Sequence, residues 1–479
     1  MAKEIRSYLR QVKELLPDDM VSVKKPVYPA RFDVTALLAH LEMSGKFPLM
    51  FFEHPMNLKE GKSSFPLVTN LFATRQRCAV ALGLDPSLWK LPLSLEYARR
   101  EERLITPERI DRQGAPIKEV IKRGGDVDLR DFPIVRHHEM DGGPYIDMAA
   151  VMKDPDEDFY NISFHRNEYK GPARLGIHMS PRHNWTIFRK NEERKLPTPI
   201  VVVVSHHPAF YLGALNVAAF GVDDYALVGS IMDEPMRLVP SETWGDAFLV
   251  PADAEIVIEG EIPPGVREVE GPFGEFPGTY GPQRWRPVVE VKAITHRRDA
   301  IYQDIFVGHR DTWIVGGLPK EGSLFNAIKG VVPTVKAIHF AISGSCRFNC
   351  YISIDKKVEG ETKQAALMAM AQCDFVKNAI VVDADIDPFN EQEVMWAVAT
   401  RVQPAEDIDI IRNIKGSMLD PSIMHDTKGS KMIIDATKPV DRPFARRVNV
   451  PDEALKRVRL DEFIYHETFK KIPTPDESV

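Results

Sequence analysis

The sequence predicts a mixed α/β (α+β) chain: a helix-containing N-terminal region, a β-rich middle that forms a barrel or a sandwich, a linking helix and a C-terminal α/β domain. Three observations predict it. Ile200-Val-Val-Val-Val204 is an unbroken run of apolar residues, the pattern of a buried strand. Between residues 115 and 300 proline and glycine recur about every ten residues, the spacing of short strands joined by turns. Beyond residue 337 strand-like and helix-like segments alternate, as in a layered α/β sheet.

The elements follow in order. In residues 1–115 the opening MAKEIRSYLRQVKELL sets Ile5, Leu9, Val12 and Leu16 on one face of an amphipathic helix and lacks a secretion signal's apolar core. Asp33 is placed to cap a helix through Leu41 and Met43, and Thr74–Leu82 reads as a second helix. Pro86–Tyr97 reads as a looser segment containing Pro92, with a charged helical stretch at Arg99–Glu102. Residues 116–318 hold strands at Ile200–Val204, Ala254–Glu261 and Val288–Ile294, and a helix over Trp185–Lys195. Residues 319–337 read as the linking helix, broken at Pro333. In residues 338–450, strands begin at Ala337, Cys350 and Asn378, and helices run Glu361–Gln372 and Glu391–Arg401. In the tail, residues 451–479, Leu455, Val458, Leu460 and Phe463 are spaced for one more helix, suited to docking on a neighbouring subunit or to a loose end.

Composition narrows the function. The 479 residues carry 62 basic and 69 acidic side chains, a net charge of -7 with both signs interspersed. This argues against nucleic acid and, with no apolar run of about 18 residues, against a membrane span. A cytoplasmic protein is expected. Cys78, Cys346, Cys350 and Cys373 lack zinc-site spacing and read as buried free thiols. There is no Gly-x-Gly-x-x-Gly, Gly-x-Ser-x-Gly or His-Glu-x-x-His, and Gly61-Lys-Ser63 follows Met56 where a phosphate loop requires glycine.

The most informative segment is Glu270-Gly-Pro-Phe-Gly-Glu275. On a straight strand residues five apart face opposite ways, but two glycines and a proline make a bend that can bring both carboxylates to one pocket. Such carboxylates have divergent pKa values and suit acid/base work. A surface turn with two solvated acids fits the loop equally well. Asn161-Ile-Ser-Phe-His-Arg166 reads as a strand; the odd spacing of Asn161 and Arg166 predicts a bulge or strand end between them. His183, in Pro181-Arg-His-Asn-Trp185, can join Asn161 and a carboxylate in an oxygen/nitrogen site for Mn²⁺ or Mg²⁺, or be an ordinary structural histidine. His137-His138 and His206-His207 read as structural. One Arg, two Glu and a divalent metal suit proton delivery to a carbanion-like carbon, which needs an organic electron sink.

The chain from about 115 to 440 resembles the UbiD family of reversible decarboxylases, which use prenylated FMN. The likeness lies in Asn161-x4-Arg166, Arg182-His183-x-Trp185, Glu270 to Glu275, Asp385-Ile-Asp387 through Trp396 to Arg401, and Gly429 to Met432 followed by Ile434 to Thr437. The resemblance implies a flavin-binding split β-barrel domain, a linker helix and a C-terminal α/β oligomerisation domain. It implies that Arg166, Glu270 and Glu275 are catalytic, with Glu275 the proton donor and Glu270–Arg166 the ion pair that tunes it. Asn161, Ile162, Ser163, Arg166, Arg182, His183 and Asp224 would bind the cofactor, and Asn161, His183 and Asp224 its metal, Mn²⁺ or Mg²⁺, with K⁺ as a further ion. The third metal ligand is usually Glu in the family; Asp224 is shorter by about 1.5 Å, and Asp223 is the neighbouring alternative. The expected substrate is a small aromatic or heteroaromatic acid that releases CO₂, with Thr312 and Trp313 against the ring and His309 or Arg310 binding a hydroxyl or second carboxylate. An FMN prenyltransferase would supply the cofactor, and a homo-oligomer of two to six subunits is implied. An FMN-dependent oxidoreductase and a non-catalytic subunit of a multi-component decarboxylase are the alternatives.

Overall fold

Six antiparallel strands of the middle region close into a barrel in a computed structural model that describes residues 3–423 and 428–464. They are β1 (Tyr145–Lys153), β2 (Tyr160–Gly171), β3 (Arg174–Ile177), β4 (Thr198–Val204), β5 (Ile256–Ile262) and β6 (Val288–His296). The order is β5-β4-β1-β2-β3-β6, and pairing of β5 with β6 completes the ring. Ile200 to Val204 of β4 are all buried, because one face points into the barrel and the other is covered by helix α1 (His183–Glu193). A second helix, α2 (Asp224–Met232), is buried over most of its length and lies against β2.

The N-terminal strands Met20–Val23, Leu49–Phe52 and Leu67–Thr69 form a sheet of their own, which Tyr302–Gln303 joins after the chain leaves the barrel. Next comes the long helix α3 (Arg310–Lys329). It leads into a five-stranded sheet of β7 (Val335–Phe340), β8 (Asn349–Ile354), β9 (Asn378–Asp383), β10 (Ile408–Lys415) and β11 (Lys428–Ala436), in the order β7-β8-β9-β11-β10. Helices α4 (Glu361–Gln372) and α5 (Glu391–Arg401) match the sequence reading at both ends. Residues Met1–Thr437 make one compact unit; Lys438–Val479 is a second.

Several expectations are corrected. The linking helix begins at Arg310, not 319, and ends before Pro333; Ala337 lies in β7. Gly316, Gly317 and Pro319 disguise its first half, which is held by burial: Asp311 accepts from the Asn70 and Phe72 backbone N–H groups at 3.0 and 2.6 Å. Pro86–Tyr97 is not loose throughout, because a helix runs Leu91–Glu101 with Pro92 in its first turn, where a missing N–H costs little. Asp33 opens its helix but bonds back to Tyr28 N, and Phe32 occupies the cap position. The tail holds two short helices, Asp452–Arg457 and Leu460–Phe463, rather than one; its remainder lies outside the described residues. Strand β2 has no bulge between Asn161 and Arg166: it pairs with β1 in unbroken register from Tyr160↔Lys153 to Glu168↔Tyr145. All four cysteines are free and buried, and among the described residues no helix is long and apolar enough to cross a membrane.

A buried ionic cluster on α3 ties the parts together. Glu321 accepts from Arg75 Nη1 at 2.9 and 3.0 Å, from Ser94 Oγ at 2.6 Å and from Phe340 N at 3.0 Å, and it meets His339 Nδ1 at 2.8 Å. Burial alone would raise this carboxyl, but Arg75 and His339 outweigh it and hold the group at about 2, against an ordinary 4.5. A depressed folded-state pKa contributes stability that is present above pH 4.5 and lost as pH falls toward 2. Glu321→Ala leaves Arg75 buried without this partner, so it is expected to cost about 3–5 kcal/mol. The urea midpoint at neutral pH checks the loss, and stability measured down through the acid range should fall less steeply in the variant.

Candidate active site

A cavity of about 700 Å³ opens at one edge of the barrel. Its position explains how Asn161 and Arg166 serve one site from opposite faces of a straight strand. Strand β3 pairs with β2 only from Asn167 onward, and the last contact on that side is His178 N to Arg166 O at 3.2 Å. Upstream of Arg166 this edge of β2 is not covered by β3, and side chains from both faces reach the cavity alongside it: Asn161 to Arg166 all line it. The edge is partly covered by the start of α2, where Asp223 accepts from Tyr160 N at 3.0 Å and Asp224 from Ile162 N at 2.6 Å.

The bend at 270–275 is built by its glycines. Glu270 ends a short strand paired with Arg284–Arg286; Gly271 then takes φ +86°, which L side chains rarely adopt, and a cis peptide bond leads to Pro272. A Cβ on Gly274 would lie 2.2 Å from His138 Nδ1, so the backbone can run there only without a side chain. Glu168 and Asp141 fix the bend by accepting from Gly271 N at 3.0 Å and Gly274 N at 2.8 Å. Both carboxylates consequently meet Arg166. Its Nε and Nη2 donate to the two oxygens of Glu270, each at 2.8 Å, and its Nη1 donates to Glu275. The guanidinium lies over the Phe273 ring, 4.8 Å from its centroid, and Tyr145 OH donates to Glu270 at 3.3 Å. Glu270 is fully buried behind the arginine, whereas Arg166 and Glu275 line the cavity. Burial raises Glu275 above the ordinary carboxylate range, opposed by Arg166 and reinforced by Glu270. Burial penalises the Arg166 charge, but Glu275 and Glu270 more than offset that and raise it.

Asn161, His183 and Asp224 also line the cavity. Asn161 Oδ1 lies 3.2 Å from His183 Nδ1, at the start of α1, and Asn161 Nδ2 donates to Asn184 at 2.8 Å. Burial lifts Asp224 to about 7, partly offset by its bond from Ile162 N. An amide oxygen, an imidazole and a buried carboxylate suit a hard divalent cation, whose charge would restore Asp224 to its ionised form. Asp223 is occupied as the cap of α2 and does not line the cavity, whereas Asp224 does. Among the described residues no group of three His, Cys, Asp or Glu comes together to hold a metal; this set depends on the asparagine.

Ile162, Ser163 and Arg182 line the cavity as well, with Arg182 bonded to Asp374 at 3.0 Å. Of the residues assigned to the substrate, Thr312 lines it, donating to Phe306 O at 2.5 Å. His309, Arg310 and Trp313 do not: His309 bonds Glu42 and stacks on Phe306, Arg310 lies over Phe47, and Trp313 donates to Phe276 O at 2.6 Å. His137, read as structural, is buried between Asp147 and Asp304, and His206 and His207 are buried too. Sequence reasoning did not single out His165, His178 or Asn184, which form a bonded group on the wall, nor Lys320, Arg347 and Phe375. His165 and Asn184 sat inside segments already in view; the others carry no local motif.

Residues 108–310 match the 3-octaprenyl-4-hydroxybenzoate carboxy-lyase Rift-related domain, 314–436 the C-terminal domain of the same enzymes and 17–90 their N-terminal domain. The chain belongs to the UbiD family of carboxy-lyases. It is 34% identical to the anhydromevalonate phosphate decarboxylase of Methanothermobacter thermautotrophicus, over 85% of this chain and 94% of that one. It is 33% identical to the phenolic acid decarboxylase of Sedimentibacter hydroxybenzoicus, over 91% and 92%. Among solved structures, the UbiD-class enzyme HmfF of Pelotomaculum thermopropionicum in complex with FMN superposes with a TM-score of 0.87 at 38% identity, covering 96% of this chain and 99% of that one. An evolved dimeric form of it in complex with prFMN gives 0.85 at 36% identity, over 97% and 100%.

Burial makes Glu275 a carboxyl that titrates above the ordinary range. In protein labelled with ¹³C at the glutamate carboxyl, one resonance that disappears in Glu275→Gln is expected to titrate above 4.5. In Arg166→Met the same resonance should move higher still, since the arginine lowers it.

Proposed function

We propose that the protein is a prenylated-FMN-dependent, reversible decarboxylase of a small aromatic or heteroaromatic carboxylic acid. The observation that carries this reading is the Arg166–Glu270–Glu275 clamp on the same cavity as Asn161, His183 and Asp224. The prFMN-bound neighbour and the phenolic acid decarboxylase relative support it. Asn161, His183 and Asp224 would hold a divalent ion, Mn²⁺ or Mg²⁺, against the cofactor phosphate, and Ile162, Ser163, Arg166 and Arg182 would contribute the remaining contacts. When bound, prenylated FMN supplies the electron sink that a carbon losing CO₂ needs.

The protein's own part is charge and proton placement. Arg166 attracts the acid's carboxylate and holds it at the cavity wall while its other edge is locked by Glu270. Loss of CO₂ replaces a carbon–carbon bond with a carbon–hydrogen bond and consumes one proton. Glu275, raised by burial and facing the cavity, is the acid that provides it. In the carboxylation direction the same group removes that proton, so high bicarbonate should drive the reverse reaction. Glu270 does not reach the cavity; it keeps Arg166 charged and aligned.

Protein co-expressed with an FMN prenyltransferase and purified without oxygen tests this. Glu275→Gln is expected to keep its flavin and lose on the order of 10²-fold or more in CO₂ release from aromatic acids. Hydride transfer that survives in this variant, with no CO₂ release by the parent, would instead establish the oxidoreductase reading. Asp224→Ala removes the only carboxylate of the metal set, and metal and flavin content measured together should both fall well below one per chain.

A further inference from the structure

One acid on the cavity has no part in the mechanism above. Asp147 on β1 lines the cavity and is only 7% exposed. It is the register partner of Arg166 across the β1–β2 ladder. The two side chains therefore leave the same face of the sheet, with Cβ atoms about 5 Å apart. The arginine does not serve it, since Nε, Nη1 and Nη2 of Arg166 go to Glu270 and Glu275. Among the described residues neither oxygen of Asp147 receives a hydrogen bond.

Behind Asp147 stands a charge that supports it without filling its lone pairs. His137 Nδ1 lies 3.3 Å from Asp147 Oδ2, near enough for attraction but without the alignment of a hydrogen bond. The other ring nitrogen, Nε2, lies 3.0 and 3.2 Å from the two oxygens of Asp304, which also accepts from Thr69 Oγ1 at 3.3 Å. Burial penalises the charged imidazole, but Asp304 and Asp147 more than offset this and raise His137 well above its ordinary range. Burial lifts Asp147 to about 6; His137 opposes the rise, and Asp304 and Asp141 reinforce it. At neutral pH Asp147 is therefore mainly an acceptor, balanced in charge from behind and open towards the cavity. Phe273, Ile305 and Val307 of the same cavity have no side-chain donor to offer it. A buried carboxylate in this state is costly to folding, and a ligand that donates a hydrogen bond relieves that cost.

We propose that Asp147 is a specificity-determining residue that accepts a hydrogen bond from a ring N–H or a hydroxyl of the substrate, on the part of the ring nearest the carboxylate that is lost. This rests on the decarboxylase reading and narrows its substrate class to acids with a neutral donor beside the carboxyl, of the pyrrole-2-carboxylate or 2-hydroxybenzoate kind. The shared rung of the ladder sets the position: the guanidinium of Arg166 takes the carboxylate, and Asp147 takes its neighbour. A second carboxylate at that place would meet Asp147 as a like charge.

The test uses flavin-loaded Glu275→Gln protein, in which turnover is slowed, and calorimetric titration with matched pairs of acids. The pairs are pyrrole-2-carboxylate against furan-2-carboxylate, and 2-hydroxybenzoate against 2-fluorobenzoate. The donor-bearing acid is expected to bind on the order of 10-fold tighter or more. Whichever pair shows the gain identifies the donor, and equal binding within both pairs overturns the proposal. Adding Asp147→Leu should bring the ratio to about one. Asp147→Asn, an isostere that keeps an acceptor oxygen without the charge, should give an intermediate ratio and carries the test if the Leu variant does not fold. A full ratio retained in these variants overturns the assignment. So does loss of flavin from the Asn variant, which would make the donor a ring N–H of the cofactor instead. Parent protein that holds no flavin and releases CO₂ from no acid overturns the decarboxylase reading itself, a different outcome from release without preference.

Discussion

The site depends on one interaction: a single arginine held by two glutamates that the chain delivers from one bend. Arg166 is fixed on β2 by the continuous register with β1, and its guanidinium lies over Phe273. Glu270 takes two of its donors and Glu275 a third. A buried ion pair of this kind contributes little net stability, since desolvation cancels much of the attraction. What it provides is asymmetry. Glu270 is sealed off and can only neutralise the arginine. Glu275 shares the same cation but faces the cavity, and its burial favours the protonated form. One arginine therefore holds a sealed glutamate and a cavity-facing one, five residues apart in the sequence.

The open edge of β2 is the second constraint. Completing the barrel along that edge would leave Asn161 and Arg166 on separate sides of a sheet. Because β3 departs at Arg166, the strand has a free flank, and α2 places Asp223 and Asp224 on its backbone N–H groups. The carboxylate that binds Ile162 N is also the one available to a cation. On the proposed reading the same short side chain would satisfy the backbone and supply a ligand. A glutamate at 224 would reach further but would have to give up or lengthen the 2.6 Å bond that anchors it.

Much of this was legible in the sequence, for identifiable reasons. Local signals survived folding: the apolar run of β4, and helices α4 and α5 with their ends. The 270–275 bend was legible because glycine and proline at those positions restrict the backbone more than they describe its surroundings. The errors share a cause as well. Helix α3 begins nine residues early because burial of Asp311 and close packing at Gly316 outweigh poor helix propensity, a tertiary effect no local window contains. The bulge expected in β2 was a correct demand, one site for two faces, met by a different device, a missing neighbour strand. His309, Arg310 and Trp313 were assigned to substrate from their place after a strand, yet Glu42, Phe47 and Phe276 O engage them instead. Lys320 and Arg347 have no motif to announce them, and their relation to Arg166 exists only once the C-terminal domain packs beside the barrel.

The packing of the C-terminal part of the chain against the barrel brings further cations to the same cavity. Arg166 is outnumbered there by Glu270 and Glu275, whereas Lys320 and Arg347 donate to carbonyl oxygens. The two groups are close through one residue: Arg347 lies 5.4 Å from the ring centroid of Phe276, which follows Glu275 in the chain. Side chains from the barrel and from the C-terminal part of the chain therefore set the charge of a single cavity, and neither part would line it alone.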